Sequence, residues 1–464
     1  MIKILRKIPF IVVLFSLFSA GCGSFDGRAV REKHTEDYRE ELAAEMNELM
    51  FEGRAFGLDD CIKTALENGL HIKAAQIQER VAKLERKVSF AAFLPTVNLD
   101  YQYTKWDRQP KVKFGASAAA MHDQTVKNIT WQMEMSVFDP STWFLYAMHQ
   151  RGEETAEWVT KYTEQMTVLE ITVNYYHCLT LEQVRDAMQS QLKATEELEK
   201  EIGELFKEGL VTQWQYKQAQ SAVLMRRTEL SRVEYAINQA KADLLVSMGL
   251  SPLAEISLKI EEPLTAPSEP PEDLVYKAMV ENPQLYISDL QIAIAEEKVQ
   301  IALAAFLPRL TIFANQTNTS DSFQLYQNSW QFGLIGTMSI FNGFANINEY
   351  KAAKERKKAE FIDREQQTLA VILQVYKAYM NLENAKEESI LAQKLFDTES
   401  EHFKEISNKW QEGLVQSSEM LGVMAEMDNA QMELMNSNFN LQVSIATLHN
   451  AMGTAEIPTR ENQL

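Results

Sequence analysis

The fold is decided by a five-residue stretch that occurs twice, as Ala91-Ala92-Phe93-Leu94-Pro95 and as Ala304-Ala305-Phe306-Leu307-Pro308. Three further pairs of landmarks follow the two copies in the same order. They are VFDP at 137–140 with IFNG at 340–343, EGLV at 208–211 and again at 412–415, and SMG at 247–249 with AMG at 451–453. Four matched landmarks in one order predict an internal duplication in which each copy folds as one unit.

The duplication divides the chain into segments. Repeat one occupies residues 57–249 and repeat two occupies 272–455, and a linker at 250–271 that holds five prolines joins them. Prolines outside a helical pattern predict an extended connector. A tail at 456–464 follows repeat two.

Each repeat has the same order of predicted elements. In repeat one, a helix at about 59–91 precedes strands at 97–104 and 129–137, where apolar and polar residues alternate with a period of two. A long helix at 142–207 and a final helix at 213–248 follow, separated by a Gly-Leu-Val turn. Repeat two repeats this order with strands near 310–315 and 330–340 and helices at 346–411 and 416–452.

The predicted lengths fit together as a rod. At 1.5 Å per residue the long helix spans roughly 97 Å, whereas the helices before the strands and after the turn span about 50 and 54 Å. Two short helices laid end to end therefore match one long helix, with a β-hairpin at one end and a helical turn at the other.

The strands favour a membrane β-barrel over the alternative, a soluble sandwich. Their length of about 9–12 residues suits a tilted crossing of a bilayer. Aromatic residues typical of a membrane-interface belt lie near the strand ends, namely Tyr103, Trp106, Trp131, Trp143 and Trp330. Four strands cannot close a barrel, and an open edge in lipid leaves backbone groups unsatisfied, so several chains must combine: two would give a narrow eight-stranded barrel and three a twelve-stranded one.

Composition and charge exclude several classes of protein. The 464-residue chain has 65 acidic and 46 basic residues, and a net charge of −19 argues against nucleic acid as a partner. Three cysteines exclude a disulfide scaffold. No internal stretch reaches the 18 apolar residues of a membrane-spanning helix.

Residues 1–21 have the pattern of an export signal. Lys3, Arg6 and Lys7 precede a short apolar run that ends in Ser19-Ala20-Gly21-Cys22. Small residues before a cysteine resemble the lipobox of bacterial lipoproteins, so Cys22 is predicted to be acylated and 22–56 to form a lipidated N-terminal segment. The alternative is an ordinary signal peptide with an incidental cysteine. Removing the signal lowers the formal charge from −19 to about −22.

The duplicated order of helix, Phe-Leu-Pro, hairpin, long helix, Gly-Leu-Val and helix resembles the TolC family of outer-membrane efflux proteins, and the lipidated Cys22 resembles its lipoprotein branch. The resemblance covers about 57–455. It implies a homotrimer whose twelve strands form one barrel in the outer membrane of a Gram-negative bacterium. It also implies a tunnel of helices across the periplasm, a passive channel that is driven by an inner-membrane pump through a periplasmic adaptor. The expected fold is an α+β membrane protein, a duplicated long-helix α-barrel to which each chain adds four barrel strands.

The resemblance also assigns sites. The apolar turns Gly209-Leu210-Val211 and Gly413-Leu414-Val415 are expected to dock the adaptor, because exposed apolar tips need a partner. Glu419, just past the second turn, is expected to face the axis as a periplasmic gate; the position one turn on is Gly422, and the counterpart in repeat one is Gln215.

The strands supply the lumen residues. Asp100 and Glu134 fall on the polar face of the first-repeat strands, so threefold assembly is expected to place three copies of each around the pore.

The sequence has no catalytic motif, no phosphate loop, and no His/Cys cluster at metal spacing, so no enzyme activity, cofactor or metal is predicted. The methionines of the last helix are interpreted as packing residues rather than metal ligands. Cys61 and Cys178 are interpreted as buried thiols, with a disulfide between them left open. The transported cargo stays undetermined, and the alternative function is a periplasmic coiled-coil structural or adaptor-like protein without a pore.

Overall fold

In the computed structural model, the described residues are 26–52, 55–115 and 117–454. The predicted signal at 1–21, the acylation site Cys22 and the tail at 456–464 lie outside them. Helix α1 spans Gly27–Glu52, and repeat one begins with α2 at Leu58–Asn68 and α3 at Leu70–Ala91.

The remaining elements follow in two series. Repeat one continues with β1 Thr96–Lys105, β2 Lys111–Phe114, β3 Ser117–Ala120, β4 Thr125–Phe138, α4 Pro140–Lys207 and α5 Gln213–Ser247. Repeat two contains α6 Pro271–Glu281, α7 Pro283–Ala304, β5 Arg309–Thr319, β6 Asn328–Thr337, α8 Ala345–Gln411 and α9 Ser417–Met452. The two long helices, of 68 and 67 residues, are each about 100 Å long.

The helix predicted at 59–91 is in fact two helices. Gly69, with an extended ψ of 126°, separates α2 from α3, and Asn282 followed by Pro283 makes the same break between α6 and α7. The single-helix prediction was wrong because the periodic pattern runs through both breaks. Asn68-Gly69 and Asn282-Pro283 are nevertheless recognisable breaker dipeptides.

One antiparallel sheet holds the four predicted strands in the order β1-β4-β5-β6. The two hairpins lie side by side, so the central pair, β4 and β5, joins one repeat to the other. Within the loop predicted between β1 and β4, the short strands β2 and β3 form a separate hairpin.

Each long helix packs against two shorter ones placed end to end. Helix α4 contacts both α3 and α5, and α8 contacts both α7 and α9; α4 also contacts α7 and α9 from the other repeat. The ends of the short helices meet closely. An added Cβ on Gly249 would lie 2.5 Å from the Asn68 carbonyl oxygen, and one on Gly453 would lie 2.8 Å from the Asn282 Cα. Both glycines have a positive φ, near 77°, so only glycine suits each junction.

The core consists of several clusters along the rod. One surrounds the junction of repeat one and includes Ile171, Tyr175 and Leu244, and a second surrounds the junction of repeat two. The linker at 250–271 packs against both clusters through Leu264, whose backbone N–H donates a 2.7 Å hydrogen bond to the Gln442 Oε1. Among the described residues, no helix has the length and apolar character needed to cross a membrane.

Candidate functional site: the helical tip and the strand faces

The two turns at the far end of the long helices have the same geometry. The Gly209 N–H donates to the Phe206 carbonyl and the Leu210 N–H to the Leu205 carbonyl, at 3.0 and 2.9 Å. This pair of bonds is a Schellman motif, and it needs the left-handed backbone of Gly209, whose φ is 78°. Gly413, with a φ of 74°, repeats the motif in the second turn.

The residues after each glycine have opposite environments. Leu210 and Leu414 are 68% and 69% exposed. Val211 and Val415 instead pack against a buried cluster that joins the two repeats, formed by Leu198, Ile202, Ala219, Ile406, Met420 and Val423. The leucines are therefore available to a partner, whereas the valines hold the two turns together.

A groove of about 710 Å³ separates the two turns. Its apolar lining includes Leu210, Val211 and Trp410, and its rim carries exposed carboxylates of Glu201 and Glu204. The Trp410 indole N–H donates a 3.1 Å hydrogen bond to Glu201, which fixes one wall of the groove.

Sequence reasoning missed one residue at this end of the molecule. Trp214, in the first turn of α5, is 67% exposed, so the turn of repeat one presents an indole beside its exposed leucine. The sequence contains a signal for this residue. Trp214 comes two positions after the helix cap Thr212 and lies outside the apolar stripe of the helix.

Glu419 lies in the first turn of α9 and is exposed. Gly422, one turn on, is also exposed, and a Cβ added there would meet no atom within 4 Å. Glu426 and Glu433 follow at seven-residue intervals and are exposed as well. Because seven residues make about two helical turns, the three carboxylates lie on nearly the same face of α9. Lys409 is near this end: its hydrogen bond to Glu405 and, more weakly, the charge of Glu419 raise its pKa.

The main sheet has one polar and one apolar face. Asp100 is opposite Thr130, which is opposite Thr317, and Glu134 lies on the same face, within hydrogen-bonding distance of Gln132. Both carboxylates are exposed. Phe313, directly opposite Glu134, interrupts this polar face. Its ring lies over Gly333 of the neighbouring strand, where a Cβ would approach it to 2.9 Å.

The other face carries large apolar side chains open to the surroundings. Those more than half exposed include Leu99, Tyr101, Trp330, Phe332 and Leu334. Trp131 is directly opposite Leu99, and the row continues across the sheet through Gln316 to Trp330. Contiguous exposed apolar side chains of this kind mark a surface that contacts lipid or another protein.

The loops beyond the strands are fastened to each other across the repeats. Asp321, which is 1% exposed, is hydrogen-bonded to the His122 ring and accepts from the Asp123 N–H. Burial alone would raise the pKa of Asp321, but these hydrogen bonds outweigh it and lower the pKa. Trp106 stacks on the His122 ring.

Two thiols and one carboxyl group are buried among the helices. Cys61 and Cys178 are free thiols in one core cluster, and burial raises the pKa of each to about 12, so both are neutral and unreactive. Asp428 on α9 is 1% exposed and pairs with Arg226 of α5. Burial raises the pKa of Asp428 to about 6 despite the opposing attraction of Arg226.

Comparisons with known proteins agree with this architecture. The family model described as outer membrane efflux protein matches residues 61–250 and 274–454. Among curated proteins, the chain is 21% identical over 241 residues to the probable outer membrane lipoprotein SilC of Salmonella typhimurium. This match covers 51% of the chain and spans about half the length of that relative, 52%.

Solved structures resemble the chain over most of its length. A membrane protein from Pseudomonas aeruginosa has a TM-score of 0.76 at 16% identity, covering 87% of this chain and 92% of that one. The CmeC outer membrane channel of Campylobacter jejuni has a TM-score of 0.74 at 15% identity, covering 87% of each chain. The outer membrane protein VceC of Vibrio cholerae has a TM-score of 0.72 at 16% identity, covering 85% of this chain and 96% of that one. At these identities the likeness shows the fold, and it confirms the expected helix-rich architecture with a small sheet.

Proposed function

Because the chain belongs to the outer membrane efflux protein family, we propose that three copies form a passive exit duct through the outer membrane of a Gram-negative bacterium. The duct works with an inner-membrane pump through a periplasmic adaptor, in efflux or in type I secretion. The observation that carries the proposal is the four-stranded sheet, which has an exposed apolar face, a polar face and two open edges.

The two edges explain why several chains are needed. Strands β1 and β6 each lie at the end of the sheet, so each has one unpaired row of backbone groups in a single chain. In lipid those groups must be paired, and pairing β6 of one chain with β1 of the next closes the sheet. Three chains give twelve strands, enough to enclose a lumen, whereas eight would be filled by side chains.

The faces then have distinct roles. The apolar face with Leu99, Trp131 and Phe332 meets lipid, and the polar face with Asp100 and Glu134 lines the lumen. Negative charges along the lumen make the pore prefer cations. Cys22, once acylated, adds a lipid anchor independent of the barrel.

The helical rod spans the periplasm and ends in the docking and gating sites. Leu210 and Leu414, with Gly209, Val211, Gly413 and Val415 shaping the turns, form the adaptor-docking tips. Glu419, near the same end, faces the axis, where three carboxylates narrow the entrance. Crowded carboxylates repel one another and so need a cation, hydrogen-bond donors or raised pKa values.

Planar-bilayer recording of the purified protein tests the duct. We expect a heat-modifiable trimer in detergent that forms cation-preferring channels, and Glu419→Ala should change conductance or selectivity while trimer migration is unchanged. Glu412→Ala, an exposed carboxylate beside the turn, is the matched control and should leave conductance unaltered.

The alternative, a periplasmic coiled-coil adaptor without a pore, predicts a protein that yields no channels and whose Cys22→Ala variant is extracted without detergent. A coiled-coil adaptor does not require a sheet with an exposed apolar face. A non-conducting protein whose Cys22→Ala variant is extracted by water would refute the duct, and an unchanged Glu419→Ala channel would refute only the gate.

A further inference from the structure

Three side chains with metal-binding atoms converge between α8 and α9. Glu399 and His402 are three residues apart on α8, and Glu426 comes from α9. One ligand atom from each lies within 4.8 Å of the other two. No spacing in the sequence reveals this cluster, because two of the three residues are adjacent only on a helix surface and the third is on another helix.

One of these atoms lacks the hydrogen bond that a buried oxygen normally makes. The Glu399 Oε2 is shielded from solvent and has no hydrogen-bond partner. It lies 3.7 Å from the His402 Nδ1, too far for a hydrogen bond. Two atoms bound to one zinc ion at about 2.0–2.2 Å each are separated by a similar distance, so an ion between them would satisfy both.

We propose that Glu399, His402 and Glu426 bind a divalent transition-metal ion of the zinc class and so tie α8 to α9. An imidazole nitrogen with two carboxylates suits zinc, nickel or cobalt, whereas magnesium and calcium prefer oxygen ligands alone. Two carboxylates balance the double charge of the ion, and three protein ligands leave a position for water.

Repeat one shows that the fold does not require this cluster. Aligning the two turns places Thr195, Leu198 and Ala222 at the corresponding positions. None of these side chains is a strong metal ligand, and Thr195 and Leu198 are almost fully buried. The site is therefore specific to repeat two. The repeat-one residues can replace the three ligands in a variant, because the shared fold tolerates them.

The position of the ion gives it a mechanical consequence. His402 precedes Gly413 by 11 residues, so the site lies roughly 16 Å from the tip turn. An ion bound there would restrain the separation of α8 and α9 near the proposed docking end. The inference concerns this helix pair alone and stands whether or not the chain forms a duct.

A zinc titration of the full-length, detergent-purified protein, after removal of metal with EDTA, tests the proposal. With a chromophoric chelator as competitor, we expect one zinc ion per chain and a higher melting temperature with zinc. His402→Leu should weaken binding at least about tenfold, and the triple variant E399T/H402L/E426A should abolish both the binding and the thermal shift. The single variant Glu426→Gln changes an exposed residue, so it should fold normally and still bind zinc more weakly. Weaker binding in this variant therefore cannot be attributed to misfolding.

Glu405→Gln is the matched control for charge. Glu405 is one turn from His402 and pairs with Lys409 at 2.6 Å, outside the cluster. It should bind zinc as tightly as the parent protein, and a hundredfold excess of magnesium should not displace the ion. Equal weakening by Glu405→Gln and Glu426→Gln, displacement by magnesium, or undiminished binding in the triple variant would each overturn the site.

Discussion

Placing a charge on the tip leucines should separate docking from folding. The perturbation is the double variant L210D/L414D, which puts two carboxylates on the exposed turns of each chain. Both leucines are about two-thirds exposed, and their backbone bonds are made by N–H groups that the substitution retains. The Schellman turns should therefore persist in the variant.

The magnitudes follow from the exposed fractions. Fully burying a leucine side chain contributes about 1.5–3 kcal/mol. With a third of each side chain buried, the substitution should cost the fold less than about 1 kcal/mol per site. A partner that covers the exposed two-thirds gains about 1–2 kcal/mol per leucine, and a carboxylate in that dry contact carries a further desolvation cost. Repeated over three chains, this loss should abolish docking.

The valines next in sequence provide the contrast. Val211 and Val415 pack in the cluster that joins the two turns, so V211D/V415D should destabilise the tip itself by several kcal/mol. We expect L210D/L414D to melt within a few degrees of the parent protein and to keep its bilayer conductance while losing export, and V211D/V415D to lose much more thermal stability.

Photocrosslinking in cells supplies the direct assay. A crosslinker at Leu414 should capture a periplasmic helical-hairpin protein in the parent chain, and an additional Leu210→Asp substitution should abolish that adduct. Normal export by L210D/L414D, or a fall in its stability equal to that of V211D/V415D, would refute the assignment of the leucines to docking.

Three other predictions concern the anchor, the lumen and the buried ion pair. Cys22→Ala should abolish labelling by radioactive palmitate while the protein still reaches the membrane; equal labelling would exclude acylation at this residue. The double variant D100N/E134Q should reduce cation preference in a salt gradient, and an unchanged reversal potential would place these carboxylates outside the lumen. Burial raises the pKa of Asp428 from 3.8 to about 6, so its ionised form is disfavoured in the folded chain by about 3 kcal/mol. Stability should therefore rise as the pH falls from above 6 towards 4, and Asp428→Asn should remove that part of the pH dependence in thermal melts.

Much of the helical architecture could be predicted from the sequence because local signals fix it. The long helix predicted at 142–207 begins at Pro140, where Asp139 accepts a 3.1 Å hydrogen bond from the Ser141 N–H. A capping Asp followed by Pro is a recognisable start signal. The ends at Lys207 and Gln411 agree with the prediction, because the glycine two residues later in each repeat supplies the left-handed turn.

The contacts between helices could not be predicted in the same way. Whether Glu426 meets α8 depends on the rotation of α9 about its own axis, which the packing of Met420 and Val423 in the tip cluster sets. The same holds for Asp428, which appears in the sequence as one acid among many and is buried against Arg226 only because α5 and α9 contact each other. Such pairs depend on tertiary packing, and no spacing along the chain encodes them.

The two repeats diverge at the position proposed as the gate, and the helix caps explain how. In repeat one, Gln215 accepts a 2.8 Å hydrogen bond from the Thr212 N–H, completing a capping box that holds its side chain against the start of α5. In repeat two, the N-cap Gln416 makes no such side-chain bond, and Glu419 is exposed at the position equivalent to Gln215. Both repeats thus keep the glycine turn that each needs. In repeat two, however, the Glu419 carboxylate is not used to cap the helix. In the proposed trimer, this difference would leave three such carboxylates rather than six at the entrance, a weaker barrier that a few cations or docking of a partner would neutralise.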